Sequence, residues 1–197
     1  MENKTDSRVI KTRASIQNSF WELLNTEGFA KIKVKQILQR ANINRSTFYT
    51  YYDDKYALLD AMEDELFEGF REIGRKLPVS MLTEHRYDLG GIRDYYNQMA
   101  GYIYRNGRKF ALLVSDKGDP AFVSKLINMD LDFWRKTGLI GKLAIPQRYA
   151  FSALTGMIVS LITEWVKSDF HETPEEFSAI MDKVISPVTL TRSLFTE

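Results

Sequence analysis

Residues 44 to 51 read Asn-Arg-Ser-Thr-Phe-Tyr-Thr-Tyr. Wound into a helix, this run turns Phe48, with Tyr52 just beyond it, toward a core. Its remaining positions carry an amide, a guanidinium, hydroxyls and phenols. Those groups can hydrogen-bond to base edges and phosphate oxygens. A surface helix serving only solubility would carry Glu and Lys instead. An aromatic cluster such as Tyr49, Tyr51 and Tyr52 also fits the core of a small helical domain. The polar neighbours, the turn before them and the local charge favour a groove-facing helix.

So short a helix must be held from outside. In the connection Ala41-Asn42-Ile43-Asn44, Asn42 tolerates the left-handed backbone region, Ile43 can anchor the turn and Asn44 can cap the next helix. Upstream, the pattern predicts a helix from Val34 to Arg40 with Val34, Ile37 and Leu38 facing inward. Before that, Ile16, Phe20, Leu23 and Leu24 recur at helical spacing on a first helix, capped by Asp6 or Ser7 and ended by a left-handed Gly28. Downstream, Asp53 would cap a longer helix over residues 54 to 76, with Leu58, Leu59, Met62, Leu66, Phe70 and Ile73 inward, stopping before Pro78. Three helices with a four-residue turn between the second and third make a helix-turn-helix, whose third helix enters the major groove.

Charge is divided accordingly. Residues 1 to 55 hold ten Lys/Arg and six Asp/Glu, a net +4, and residues 56 to 197 balance to −3 within a total of +1. A basic first quarter on a neutral-to-acidic body is the footprint of a phosphate-contacting module. At 197 residues, 44% hydrophobic and 27% charged, the chain has the composition of a globular protein with a full core. The absence of cysteine excludes disulfides, thiolate zinc sites and thiol nucleophiles, and fits a reducing cytosol. The charged start, MENKTDSRVIKTR, lacks the apolar segment of an export signal, so a cytoplasmic location is expected. The most apolar stretch, Ala150 to Val166, is shorter than a bilayer span and reads as a buried helix, with no membrane partner.

From Arg13 through Leu59 the chain resembles the DNA-binding domain of the TetR family. The residues that carry the resemblance are Ile16, Phe20, Leu23-Leu24, Glu27-Gly28-Phe29 and the run VKQILQRANINRSTFYTYYDDKYALL. Its centre, Ser46-Thr47-Phe48-Tyr49-x-Tyr51-Tyr52-x-x-Lys55-x-x-Leu58-Leu59, is similar to the family pattern TxYxxFxxKxxL. The resemblance implies that Asn44, Arg45, Ser46 and Thr47 open the recognition helix, with Arg45 the foremost base reader. It further implies that Tyr49 and Tyr51 contact phosphate or bases, that Thr50 faces the groove and that Lys55 binds backbone phosphate. Lys33, Val34 and Lys35 fall where the family contacts the DNA backbone. Here Lys33-Val34 replaces the usual Thr or Ser cap, Asn42 the frequent turn glycine and Tyr52 the usual phenylalanine.

The second part also reads as helical, so the expected fold class is all-α. A helix-turn-helix domain over residues 1–55 would join, through the helix at 54–76, a helical regulatory and dimerisation domain over 56–197. Beyond a loop at 78 to 90, helices are expected at about 91–105, 108–115, 120–137, 147–167 and 174–185, with Pro120 and Pro146 in first turns and a capping box at Thr173-Pro174-Glu175-Glu176. Ser152, Gly156 and Ser160 form a stripe of small residues that lets another helix approach closely, in a partner subunit or within the monomer. With Phe177, Ile180, Met181 and Val184 on the last helix, the stripe makes a candidate homodimer interface, the arrangement that the family resemblance implies. Two symmetry-related recognition helices would read a palindromic operator with half-sites roughly 34–36 Å apart. Tyr95, Met99, Tyr102, Phe110, Phe122, Phe133 and Trp134 either line a pocket for a small-molecule effector or fill the core. The resemblance alone implies a repressor, one that such an effector would release.

Two other readings stay open. One is a family-like co-regulator acting through protein partners; the other is a helical enzyme. No phosphate-binding, dinucleotide-binding, nucleophile-elbow or zinc-protease motif occurs, and the two histidines, His85 and His171, lie far apart in predicted loops. His171 beside Glu172 reads as a solvated surface pair. No catalytic residue, metal ligand or cofactor is therefore assigned.

Overall fold

The computed structural model describes residues 4–77, 89–136, 141 and 143–189, without the side chains of residues 4–6, 89, 130 and 134. Among the described residues the chain is all-helical, with no strand. The helices are α1 (Lys4–Glu27), α2 (Val34–Ala41), α3 (Arg45–Tyr51), α4 (Lys55–Gly74), α5 (Leu89–Arg105), α6 (Gly107–Val114), α7 (Phe122–Lys136), α8 (Gln147–Lys167) and α9 (Pro174–Thr189), with a 3₁₀ turn at Phe29–Lys31. The loop expected at 78 to 90, with Pro78 and His85, falls largely outside the described residues.

The inward faces of α1 and α4 are those read from periodicity: Ile16, Phe20, Leu23 and Leu24, then Leu58, Leu59, Met62, Leu66, Phe70 and Ile73, are all buried. Several helix ends differ from expectation. α1 is already helical at Lys4, so Asp6 and Ser7 lie within it. Gly28 has φ 80° and ψ 150°, a glycine region but not the left-handed helical one, and it aims the Phe29 N–H at the Lys117 carbonyl 2.8 Å away. Asp54, not Asp53, caps α4, its Oδ1 accepting from the Tyr56 and Ala57 N–H groups at 2.8 Å each. Pro120 precedes α7 rather than entering it, and Pro146 is the N-cap of α8. The expected capping box opens α9: Thr173 N–H donates to Glu176 at 2.9 Å and Glu176 N–H to the Thr173 hydroxyl at 3.2 Å. α9 then runs through Pro187 to Thr189, four residues beyond the expected end.

Aromatic rings join the two halves of the chain. Phe67 of α4 stacks on Phe122 of α7 at 5.6 Å, Phe122 meets Phe110 of α6 at 6.1 Å, and Phe70 of α4 meets Phe110 at 5.5 Å and Tyr102 of α5 at 5.4 Å. Gly69 lies under the Tyr102 ring, where a Cβ would collide with it. The Tyr102 hydroxyl donates to the Leu66 carbonyl at 2.9 Å, which fixes the ring over α4. Farther along, Trp165 of α8 stacks on Phe177 of α9 at 4.0 Å.

By length and composition the 21-residue α8 could cross a membrane, contrary to the shorter apolar stretch read from sequence. Leu154, Ile162, Trp165 and Val166 are nevertheless buried against the rest of the chain, which makes α8 a core helix of the bundle.

One ionic cluster also crosses between α4 and α7. Lys125 Nζ contacts Asp60 at 2.6 Å, Glu63 at 2.7 Å and Asp119 at 2.9 Å. The Glu63 side chain is 1% exposed, and its Oε1 is buried without a hydrogen-bond partner. One ammonium cannot neutralise three carboxylates. Burial therefore pushes the Glu63 carboxyl from its ordinary 4.5 up to about 7, with the Lys125 hydrogen bond opposing the rise.

Folded Glu63 holds its proton more tightly than the unfolded chain does. Its contribution to stability is full below pH 4.5 and fades as pH rises through about 7. Thermal unfolding followed across that window should show this loss in the native protein, and Glu63→Gln should flatten it; parallel curves would contradict the assignment. Gly69→Ala should destabilise by about 1–3 kcal/mol through the displaced Tyr102 ring, despite alanine's better helix propensity. An unchanged unfolding midpoint would mean that the ring moves aside freely.

Candidate nucleic-acid interface

α3 has seven residues and is pinned from three sides. Phe48 is 0% exposed and Tyr52 5%. The turn before α3 closes on α2: Ile43 N–H donates to Leu38 O at 3.1 Å and Asn42 N–H to Gln39 O at 3.4 Å, with Asn42 at φ 52°, ψ 49°. These bonds form a Schellman closure, with Asn in the left-handed position usually given to glycine and Ile43 packed on the core with Leu38. The third restraint is Asn44. Its Oδ1 accepts from the Thr47 N–H and from the Ser46 and Thr47 hydroxyls, each at 2.8 Å.

Asn44, Arg45, Ser46, Tyr49 and Thr50 are exposed, and Thr47 and Tyr51 are half-buried. Thr50 donates its hydroxyl to Ser46 O at 3.0 Å, so the hydroxyl protons of Ser46, Thr47 and Thr50 all point back into the protein. Their oxygens remain as acceptors. The outward donors are the Arg45 guanidinium, the Tyr49 phenol and the amide nitrogen of Asn44, whose Oδ1 alone is taken by the cap. Arg45 Nη2 lies 3.4 Å from the Tyr49 hydroxyl, and the guanidinium lies 5.4 Å from the ring centroid. A planar donor pair braced by an aromatic ring suits the paired acceptors on a guanine edge.

At the start of α2, Lys33 and Lys35 are exposed and Val34 is half-buried. The Lys33 N–H is already taken by Gln36 Oε1 at 2.7 Å, and Gln36 Nε2 reaches Glu27 at 2.6 Å. The backbone N–H of residue 33 is thereby committed within the domain.

Lys55 is engaged within the domain. Its ammonium donates to the carbonyls of Phe29 at 2.9 Å, Ala30 at 3.3 Å and Ile32 at 3.0 Å, and lies over the Phe29 ring at 4.6 Å. An ammonium has three N–H donors, and all three find acceptors inside the domain. In this structure Lys55 clamps the 3₁₀ turn to the start of α4 and does not present a free charge to phosphate.

The regulatory residues separate into distinct places. Met99, Phe110 and Phe122 are buried in the aromatic core, Tyr102 is committed to Leu66, and Tyr95 is half-buried against the same core. Phe133 lines a cleft of about 370 Å³ between α4 and α7 with Gly74, Met129, Arg71 and Arg75. The Trp134 side chain falls outside the described residues. On α8, Ser152 and Ser160 are exposed and a Cβ at Gly156 would meet open space, so the small stripe faces outward. On α9, Val184 is exposed and Ile180 half-buried, but Phe177 is 3% and Met181 1% exposed. Those last two belong to the chain's own core, with Phe177 stacked on Trp165, and are removed from the candidate interface.

Comparison with known proteins covers both halves. The profile of bacterial regulatory proteins, tetR family, matches residues 21–62, and that of a transcriptional regulator C-terminal region matches residues 92–187. An uncharacterised HTH-type transcriptional regulator of Bacillus subtilis, YxbF, is 37% identical over 62 residues, covering 31% of this chain and only 16% of its own length. NalD of Pseudomonas aeruginosa, the secondary repressor of the MexAB-OprM multidrug efflux pump, shares the fold with TM-score 0.64 at 19% identity, covering 98% of this chain and 100% of its own. A TetR transcriptional regulator of Streptococcus agalactiae gives TM-score 0.62 at 23% identity, covering 96% and 97%. FadR of Thermus thermophilus, a repressor solved with lauroyl-CoA, gives 0.52 at 16%, covering 88% and 92%. With its amino-terminal and carboxy-terminal regions both matched, the chain belongs to the TetR family of transcriptional regulators.

Proposed function

We propose that this regulator is a cytoplasmic homodimeric repressor whose two α3 helices read the halves of a palindromic operator, and that a small-molecule effector releases it. The observation that carries this reading is the outward ridge of Asn44, Arg45, Ser46, Tyr49 and Thr50 on a helix whose other face is locked by Phe48. Residues 1–55 serve as the DNA-binding module, α4 as the connector and the remainder as the regulatory body.

One short helix makes few base contacts, each worth about 1–3 kcal/mol of discrimination, so selection among genomic sites calls for two copies. The outward stripe at Ser152, Gly156 and Ser160 supports pairing through α8, beside Val184 and Val188 of α9, which are 38% and 37% exposed. An effector can act only by binding one spacing of the two α3 helices better than the other. That NalD is a repressor and that FadR was solved with lauroyl-CoA agree with this reading.

Genomic fragments recovered on the protein should share an inverted repeat, and the region upstream of its own gene is the first to assay. Arg45→Ala should relax discrimination chiefly at one base position in each half-site. Recovery of fragments without symmetry, or unchanged selectivity in that variant, would remove the proposal. Lys55→Met should lose about 1–3 kcal/mol of stability with its carbonyl contacts. It should weaken binding to all sequences alike while leaving the salt dependence intact; a slope flatter by about one unit would return Lys55 to a phosphate.

A further inference from the structure

A second cleft, also of about 370 Å³, lies between α1 and the corner of α5 and α6. Asn18 and Trp21 of α1 form one side, and Arg105, Arg108, Lys109 and Leu112 form the other. Elsewhere, Arg40, Arg71, Arg75, Lys125 and Arg135 each lie within 4.0 Å of a carboxylate. Among the described residues, Arg105, Arg108 and Lys109 have no such partner. The one acid lining the cleft, Glu22, is held by Arg40 at 3.1 Å. Three like charges over a shared cleft repel one another and favour an anion between them.

The opposite wall narrows the choice. Trp21 is half-buried, packs edge-on against Phe20 at 6.5 Å and lies 5.8 Å beneath Lys109 Nζ. An indole face beside Leu112 favours a flat apolar body, and guanidinium groups favour a head with two parallel acceptor oxygens. The volume falls at the small end for ligand sites, enough for one or two fused rings. We propose that this cleft binds an aromatic carboxylate, its ring against Trp21 and Leu112 and its carboxylate on Arg105 and Arg108, with Lys109 above the ring edge. Such a ligand touches both halves of the chain and so fixes their separation. This deepens the effector reading and rests on it only for the regulatory consequence, because occupancy can be measured without DNA.

Calorimetric titration of the full-length protein with 2-naphthoate, against 2-naphthamide as its uncharged twin, tests the site. The carboxylate should bind about tenfold or more tightly than the amide, and Arg105→Ala/Arg108→Ala should remove about tenfold or more of that affinity. Both arginines are exposed, so the double variant should keep the native unfolding midpoint. Arg71→Ala/Arg75→Ala, which alters the cleft between α4 and α7, should bind naphthoate as the native protein does. Equal affinity for the two probes, native affinity in Arg105→Ala/Arg108→Ala, or a loss in Arg71→Ala/Arg75→Ala would overturn the proposal. Charge-dependent naphthoate binding with no change in operator affinity would uphold the site and remove the effector reading.

Discussion

Burial of the Phe48 side chain is the interaction on which the outward ridge of α3 depends. α3 has seven residues, well below the dozen or more that an isolated helix needs for stability in water. Its form is imposed by contacts at both ends and one buried ring. Phe48 meets Tyr52 at 5.8 Å within a core that α1, α2 and α4 share, and the Asn44 cap satisfies the first turn. The polarity of the outer face follows from this arrangement. With the anchoring assigned to a single ring and a cap, every other position in the helix is free to carry a hydrogen-bonding group.

α4 runs between the two ends of one continuous core. Its first turns close the domain around Phe48, and its later turns, through Phe67, Phe70 and Gly69, pack on α5, α6 and α7. The buried Glu63 lies where those roles meet, with Lys125 reaching it from α7. A partly neutralised carboxyl there is a weak way to gain stability but a specific one, since removing either partner leaves the other desolvated. The position between those two ends is therefore polar amid apolar neighbours, and displacement of α7 along α4 would break short charged contacts rather than slide across smooth surface.

Local rules in the sequence were readable, and long-range ones were not. Asn42, Ile43 and Asn44 behave as their residue types indicate because each is satisfied within five positions of the chain. The buried faces of α1 and α4 follow periodicity for the same reason. The cap moved from Asp53 to Asp54 because adjacent aspartates are equivalent by type, and only the backbone angle selects one. The intradomain contacts of Lys55 were not readable because its acceptors, the carbonyls of Phe29, Ala30 and Ile32, come from a turn more than twenty residues earlier. Phe177 and Met181 look like interface residues on a helical wheel, but the stacking of Trp165 on Phe177 turns that stripe inward. Aromatic enrichment in the central helices marked a core and could not tell Phe110 from Phe133, since burial and cleft lining use the same side chains.

The loop between α6 and α7 touches the first domain away from α4. The Phe29 N–H bonds to the Lys117 carbonyl at 2.8 Å, and Lys117 Nζ bonds to Asn25 O at 2.7 Å. A third attachment lies beside these, where Lys109 of α6 sits over the Trp21 ring of α1 at 5.8 Å. The head that carries α3 is thus tied to the body through α4, at residue 117 and at this pair. Its placing is shared among contacts far apart in the chain, and no single joint sets it.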